Sequence, residues 1–264
     1  MIPTVLAKAG LNDPFVVPPV LELFQFPPIF FEGTPFAVNR TVIITLFACL
    51  VGAVALSAAF RNGKVVPSKF QAACEAFVQF IREQIAIEVI GAQGVRFVPL
   101  LATIFLFVWL NNLFEVIPFV NFPTTSRMAL PLFLSLTVYV VFMLLGFKNQ
   151  GVRYVKNVAF PPGVPKAFYL IIAPIEFLST FLIRPVTLAV RLFANMLAGH
   201  ILLTIVFLAI HAFLFSGKGT PVGIMALAAA PIAIGFELVV GLLQAYIFTM
   251  LTAVYIESSL HAEH

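Results

Sequence analysis

Residues 167–215 read AFYLIIAPIEFLSTFLIRPVTLAVRLFANMLAGHILLTIVFLAIHAFLF, a run of 49 in which Glu176, Arg184, Arg191, His200 and His211 are the only charged or imidazole side chains. As one straight helix it would be about 73 Å long, against roughly 30 Å for the hydrocarbon core of a bilayer. It holds no Asn-Gly, Gly-Gly or polar cluster to reverse the chain. Pro174 and Pro185 can kink a helix without turning it back. The stretch therefore reads as one long, strongly tilted helix rather than two spans. Residues 221–256 repeat the pattern with one charge, Glu237, and would reach about 54 Å.

The rest of the 264-residue chain agrees. It is 61% hydrophobic and 10% charged, with a mean hydropathy of +1.08, whereas soluble domains hold about 25% charged residues. This composition excludes a soluble enzyme, a disordered chain and a disulfide scaffold. Cys49 and Cys74 have no metal-ligand spacing and read as packing residues. No phosphate loop, zinc pattern or nucleophile elbow occurs, so no cofactor or metal is expected. The net charge of +4 is spread between apolar runs, which fits topology signals and not nucleic acid.

The expected fold is an all-α integral membrane protein of about five transmembrane helices and one amphipathic surface helix, the last two spans long and strongly tilted. Residues 1–35 hold seven prolines and read as an irregular arm without a signal-peptide pattern. A first span lies within 36–66, its charge-free core at 41–60. Residues 67–94 form the amphipathic helix, with Phe70, Ala73, Phe77 and Ile81 at helical spacing and Pro67 suited to its first turn. Residues 95–166 carry a transmembrane hairpin and a basic loop, and 167–264 the long helix pair. With the N-terminus outside, nine basic residues fall inside (Arg61, Lys64, Lys69, Arg82, Arg96, Lys148, Arg153, Lys156, Lys166) and four outside (Lys8, Arg40, Arg127, Lys218). That bias supports this orientation, with the C-terminus inside.

Ionisable groups within a bilayer are costly and point to function. Arg191 lies deep in an apolar helix and, being permanently charged, suits a fixed positive charge better than a proton carrier. Asn195 follows it by one turn, and Arg184 lies near the same face. His200, nine residues on, turns to the opposite side at 100° per residue. Glu237 and Gln244, seven apart, share a face of the last helix, and Gly241 between them leaves room for close approach. Glu176 suits an inner water-filled entry. Asn111, Asn112 and Glu115 suit the lining of an outer mouth, and His211 an interface.

The segment Arg184-Pro185-Val186-Thr187-Leu188-Ala189-Val190-Arg191-Leu192-Phe193-Ala194-Asn195-Met196-Leu197-Ala198-Gly199-His200 resembles the signature of subunit a of F-type ATP synthase. Leu243-Gln244-Ala245-Tyr246-Ile247-Phe248-Thr249-Met250-Leu251-Thr252 resembles the second signature, and the Asn111–Pro118 stretch NNLFEVIP fits as well. The resemblance implies a stator that forms two offset aqueous half-channels against a rotating ring of c subunits, with ATP chemistry left to other subunits. Its implied partners are the c-ring, the peripheral-stalk b subunits, the lipid bilayer and protons. Arg191 would face the ring carboxylate, Asn195 and Gln244 would stand beside it, and His200 with Glu237 would form the outer half-channel pair. Many bacterial members carry the acid and the histidine at these two positions the other way round. The implied location is a bacterial plasma membrane, or alternatively an organelle inner membrane. Two other readings stay open: a cation/proton antiporter, which would usually show internal repeats, and a structural subunit of a respiratory complex, which would not need Arg191 at mid-depth.

Overall fold

The computed structural model describes residues 38–61, 66–117, 124, 127–151, 153–159, 169–215 and 220–260. The Pro-rich arm at 1–35, and Lys64, Pro118, Lys166 and Lys218 in the connecting segments, lie outside the described residues. Five helices are long and apolar enough to cross a membrane: Arg40–Phe60, Ala92–Val116, Ala129–Gln150, Tyr169–Leu214 and Pro221–Leu260. The protein is an all-α, multi-pass membrane protein. Inside hydrocarbon only a helix or a closed barrel satisfies every peptide group, and these sequences carry the helical solution in their length alone.

Helix α1 spans Arg40–Phe60 and α2 spans Lys69–Ile81, the latter continuing as a π-helical segment over Arg82–Ile90. A 3-10 segment, Ala92–Phe97, leads into α3, Val98–Val116. Then come α4 (Ala129–Gln150) and α5 (Arg153–Ala159). The first long span consists of α6 (Tyr169–Leu178), a π-helical turn at Ser179–Ile183, α7 (Arg184–Ala209) and a second π-helical turn at Ile210–Phe215. Helix α8 covers Thr220–Leu260. The two long spans, 46 and 40 residues, correspond to about 69 and 60 Å. A hydrocarbon core holds such a length only when the helix is inclined or protrudes. Pro174 and Pro231 lie inside helices that continue past them.

The residues divide into two compact units. The first comprises Met1–Leu46, Asn111–Ser126 and Ala194–Leu242; the second comprises Phe47–Leu110, Arg127–Phe193 and Leu243–His264. The second unit holds an apolar core. Ile81, Ile85 and Ile90 meet Leu101, Phe105 and Val108 of α3, Phe142 of α4, Leu188 and Leu192 of α7, and Phe248 and Ile256 of α8. Phe105 packs its ring 5.4 Å from Phe77 and 6.3 Å from Phe80. Thr249 and Thr252 spend their hydroxyls on the carbonyls of Ala245 and Phe248 one turn back, so neither brings an unmet donor into the core.

Three expectations are corrected here. Pro67 is not in the first turn of α2. Ser68 is the N-cap, its hydroxyl accepting from the Gln71 N–H at 3.2 Å, which satisfies one of the orphan donors of a helix start. The apolar row is inward only in its second half: Phe77 and Ile81 reach the core and Ile85 continues them, whereas Phe70 and Ala73 are exposed near the start of the helix. The basic segment after α4 is no simple loop, since α5 forms there and buries Tyr154 against Gly146. Burial raises the pKa of that phenol, with the charge of Arg184 acting against the shift.

Gly91 ends the π-helical segment at φ 83°, a conformation that other residues rarely adopt. Gly94 then lets the chain fold back so closely that a Cβ there would overlap the Ala86 carbonyl and stand 3.0 Å from Ile90 Cβ. Gly235 has nothing within 4 Å of such an atom. Gly94→Ala is therefore expected to destabilise the purified protein by about 1–3 kcal/mol, the usual cost of overpacking. Gly235→Ala should be neutral or slightly stabilising. Thermal unfolding in detergent compares the two, and equal midpoints would refute the close approach.

Candidate functional site

Three helices bring three titratable side chains together in the first unit. Glu115 stands near the end of α3, His200 in the middle of α7 and Glu237 in the middle of α8. Glu115 is fully buried, His200 is 7% exposed and Glu237 3%. His200 Nδ1 lies 3.9 Å from Glu115 Oε1, too far for a direct hydrogen bond. Glu115 and Glu237 lie close enough for each carboxyl group to act electrostatically on the other. Glu115 Oε1 and Oε2 and Glu237 Oε1 are nonetheless buried without a hydrogen-bond donor among the described residues. Two carboxyl groups offer only acceptors to each other unless a proton lies between them.

The backbone makes room for this cluster. A Cβ at position 199 would overlap the carboxylate of Glu237, so Gly199 is the cradle in which that group rests. On the next turn of α8, Gly241 faces α3. Its carbonyl accepts a hydrogen bond from Asn112 Nδ2 at 3.0 Å, and a Cβ there would stand 3.2 Å from Asn112 Cβ. Asn111 accepts a hydrogen bond from the Thr124 hydroxyl. These two amides tie α3 to α8 and to the segment after α3, which holds Glu115 in place one turn further on.

Glu115, Asn111 and Asn112, expected along an open mouth, are all buried. Asn195 belongs to the same unit, and its Nδ2 is buried without a partner among the described residues. His211 is exposed. Arg191, Arg184, Glu176 and Gln244 belong to the second unit. There Arg191 is exposed beside Val186 and Val190, themselves 43% and 44% exposed. No carboxylate among the described residues pairs with it. Gln244 is buried with Nε2 unsatisfied. Glu176 is half-buried. Arg184 Nη1 donates to Ser258 Oγ at 3.1 Å, and its guanidinium stands 5.4 Å from the Tyr255 ring.

Sequence reasoning missed Gly199 as a cradle, Thr124 as the anchor of Asn111, and Tyr255 and Ser258 as the surroundings of Arg184. Gly199 sits next to His200, which is a faint signal; the other contacts join residues far apart in the chain.

The family described as ATP synthase A chain matches residues 41–257. The chain belongs to that family. A Rhodococcus erythropolis ATP synthase subunit a is 42% identical over 93% of this chain and 90% of its own length. The Frankia alni subunit a is 40% identical over 98% of this chain and 90% of its own. The Pseudarthrobacter chlorophenolicus subunit a is 37% identical over 98% of both. Family membership, five apolar helices and bacterial relatives make this subunit a homologue a multi-pass protein of the plasma membrane, a membrane-embedded part of an ATP synthase.

Gly199→Ala provides a check of the cradle. Only the flexible end of Glu237 needs to move, so folding should survive with a loss below about 1–3 kcal/mol. Passive proton conduction through the membrane sector should nevertheless fall several-fold as the carboxyl turns away. Parental conduction in well-assembled Gly199→Ala would refute the contact.

Proposed function

We propose that this chain is the proton-translocating stator subunit of an F-type ATP synthase, which couples proton flow to rotation of a c-ring. The observation that carries this reading is the cluster of Glu115, His200 and Glu237, which come from three helices and are buried, with both Glu115 oxygens and Glu237 Oε1 meeting no donor among the described residues. Such a set costs stability unless it holds and passes protons. Imidazole suits that task because either ring nitrogen can relay a proton near neutral pH. Arg191, exposed among apolar side chains and without a carboxylate partner among the described residues, supports a partner that brings its own carboxylate.

In this mechanism a proton enters from the outer side through His200, Glu237 and Glu115 and neutralises a carboxylate on the ring. The neutral site turns into lipid, since desolvation no longer opposes it. After nearly a full turn it meets water open to the inner side and ionises. Arg191 attracts the ionised form and keeps the two half-channels from joining, with Asn195 and Gln244 as polar neighbours. Each proton crossing 100 mV releases about 2.3 kcal/mol, available as torque. The peripheral-stalk b subunits hold the chain against that torque. The N-terminus lies outside and the C-terminus inside, in keeping with the nine-to-four basic bias.

Arg191→Ala is expected to abolish ATP synthesis and ATP-driven pumping while the complex still assembles, and lysine should replace arginine poorly because its charge is lost more readily when desolvated. Glu237→Gln should slow passive conduction at least about tenfold, in the range of lost proton-transfer groups, and His200→Ala should slow it less if water fills the gap. Coupled synthesis by Arg191→Ala would refute the stator reading. Parental conduction in both Glu237→Gln and His200→Ala would refute the outer path.

A further inference from the structure

A second line of polar groups runs along α7 in the second unit. Arg184 precedes Arg191 by seven residues, about 10 Å along the helix. Thr187 stands between them, its hydroxyl donating to the carbonyls of Ile183 and Arg184 at 2.8 and 3.1 Å. Tyr255 of α8 stands nearby, its phenol close to Thr187 and in the field of both arginines. Ser258 Oγ donates to the Tyr255 carbonyl at 3.0 Å and accepts from Arg184 Nη1 at 3.1 Å. Arg184, Tyr255 and Ser258 are half-buried and Thr187 is exposed.

The charge of Arg184 is not cancelled locally. Its contacts are a hydroxyl and an aromatic face, and no carboxylate among the described residues pairs with it. Tyr154 of α5 also feels it, and Tyr139 of α4 faces Tyr154. Glu257 is turned about 100° from Ser258 around α8, and Glu176 stands about 12 Å before Arg184 along the run. A permanent positive charge so placed acts on whatever carboxylate Arg191 meets.

We propose that Arg184 is a positioning residue for proton release on the inner side, a second fixed charge that favours the ionised ring carboxylate once it has reached Arg191. This rests on the stator reading above. In the step it assists, the O–H bond of the ring carboxylic acid breaks, the proton passes to water open to the inner side, and the electron pair stays on the carboxylate. A positive charge lowers the proton affinity of that carboxylate, so the inner loading midpoint should rise when the charge is removed. At about 10 Å and an effective dielectric near 20, the rise should be about half to one pH unit after allowance for water.

The test uses the whole ATP synthase in inverted membrane vesicles, whose inner face is turned to the medium. ATP-driven pumping loads the ring from that medium and declines as the medium pH rises through the loading midpoint. In Arg184→Gln the decline should come about half to one pH unit higher. Arg184→Lys should restore the parental profile. Ser258→Ala, which removes the hydrogen bond and keeps the charge, should leave the profile parental. A parental profile in Arg184→Gln overturns the proposal, as does the same shift in Ser258→Ala, which would make the role a clamp between α7 and α8. Failure of Arg184→Gln to assemble with the ring overturns it as well, by making the residue structural. Arg191→Ala, measured in parallel, separates the two readings: continued pumping there sinks the stator function itself, whereas its loss beside an unshifted Arg184→Gln sinks only the second charge.

Discussion

A peptide group in hydrocarbon has no water to bond, and every other feature of this chain follows from that. The backbone must close its own hydrogen bonds, so each apolar run becomes a helix whatever its side chains prefer. Phe, Val and Ile, mediocre helix formers in water, fill these helices without penalty. Hydroxyl side chains obey the same constraint: Thr45, Thr103, Thr137, Thr187, Thr249 and Thr252 each donate to a carbonyl one turn back. Proline is tolerated at 174 and 231 because the surrounding helix continues on either side.

Against that background the polar exceptions stand out by cost. Asn112 meets it with a long-range bond to the Gly241 carbonyl, and Arg184 with a hydroxyl and a ring. In the Glu115, His200 and Glu237 cluster, both Glu115 oxygens and Glu237 Oε1 find no donor among the described residues. Glycine is the second tool. At 199 and 241 it removes the Cβ that would hold α8 away from α7 and α3 within the first unit.

Much was legible in advance because length and charge spacing are one-dimensional. The five spans, the long uninterrupted runs at 169–214 and 221–260, and the rarity of Arg191, His200 and Glu237 in apolar surroundings all follow from counting along the chain. The start of α2 was less so. Pro67 suits a first turn, but the helix begins beyond it, where the Ser68 hydroxyl accepts from the Gln71 N–H. The π-helical segments left no signal either, because they depend on which carbonyl a given N–H reaches.

The sequence by itself determined that the chain lies in a membrane, how many times it can cross, and which charges are too costly to be incidental. Only the tertiary structure decided that Glu115 belongs with His200 and Glu237, that Gly199 receives a carboxylate, and that Tyr255 and Ser258 surround Arg184. The reason is physical. Hydrophobicity and helical period act between neighbours in sequence, so they can be read by position. A contact between α3, α7 and α8 depends on the rotation and depth at which each helix packs, and many side chains set these jointly, each contributing little.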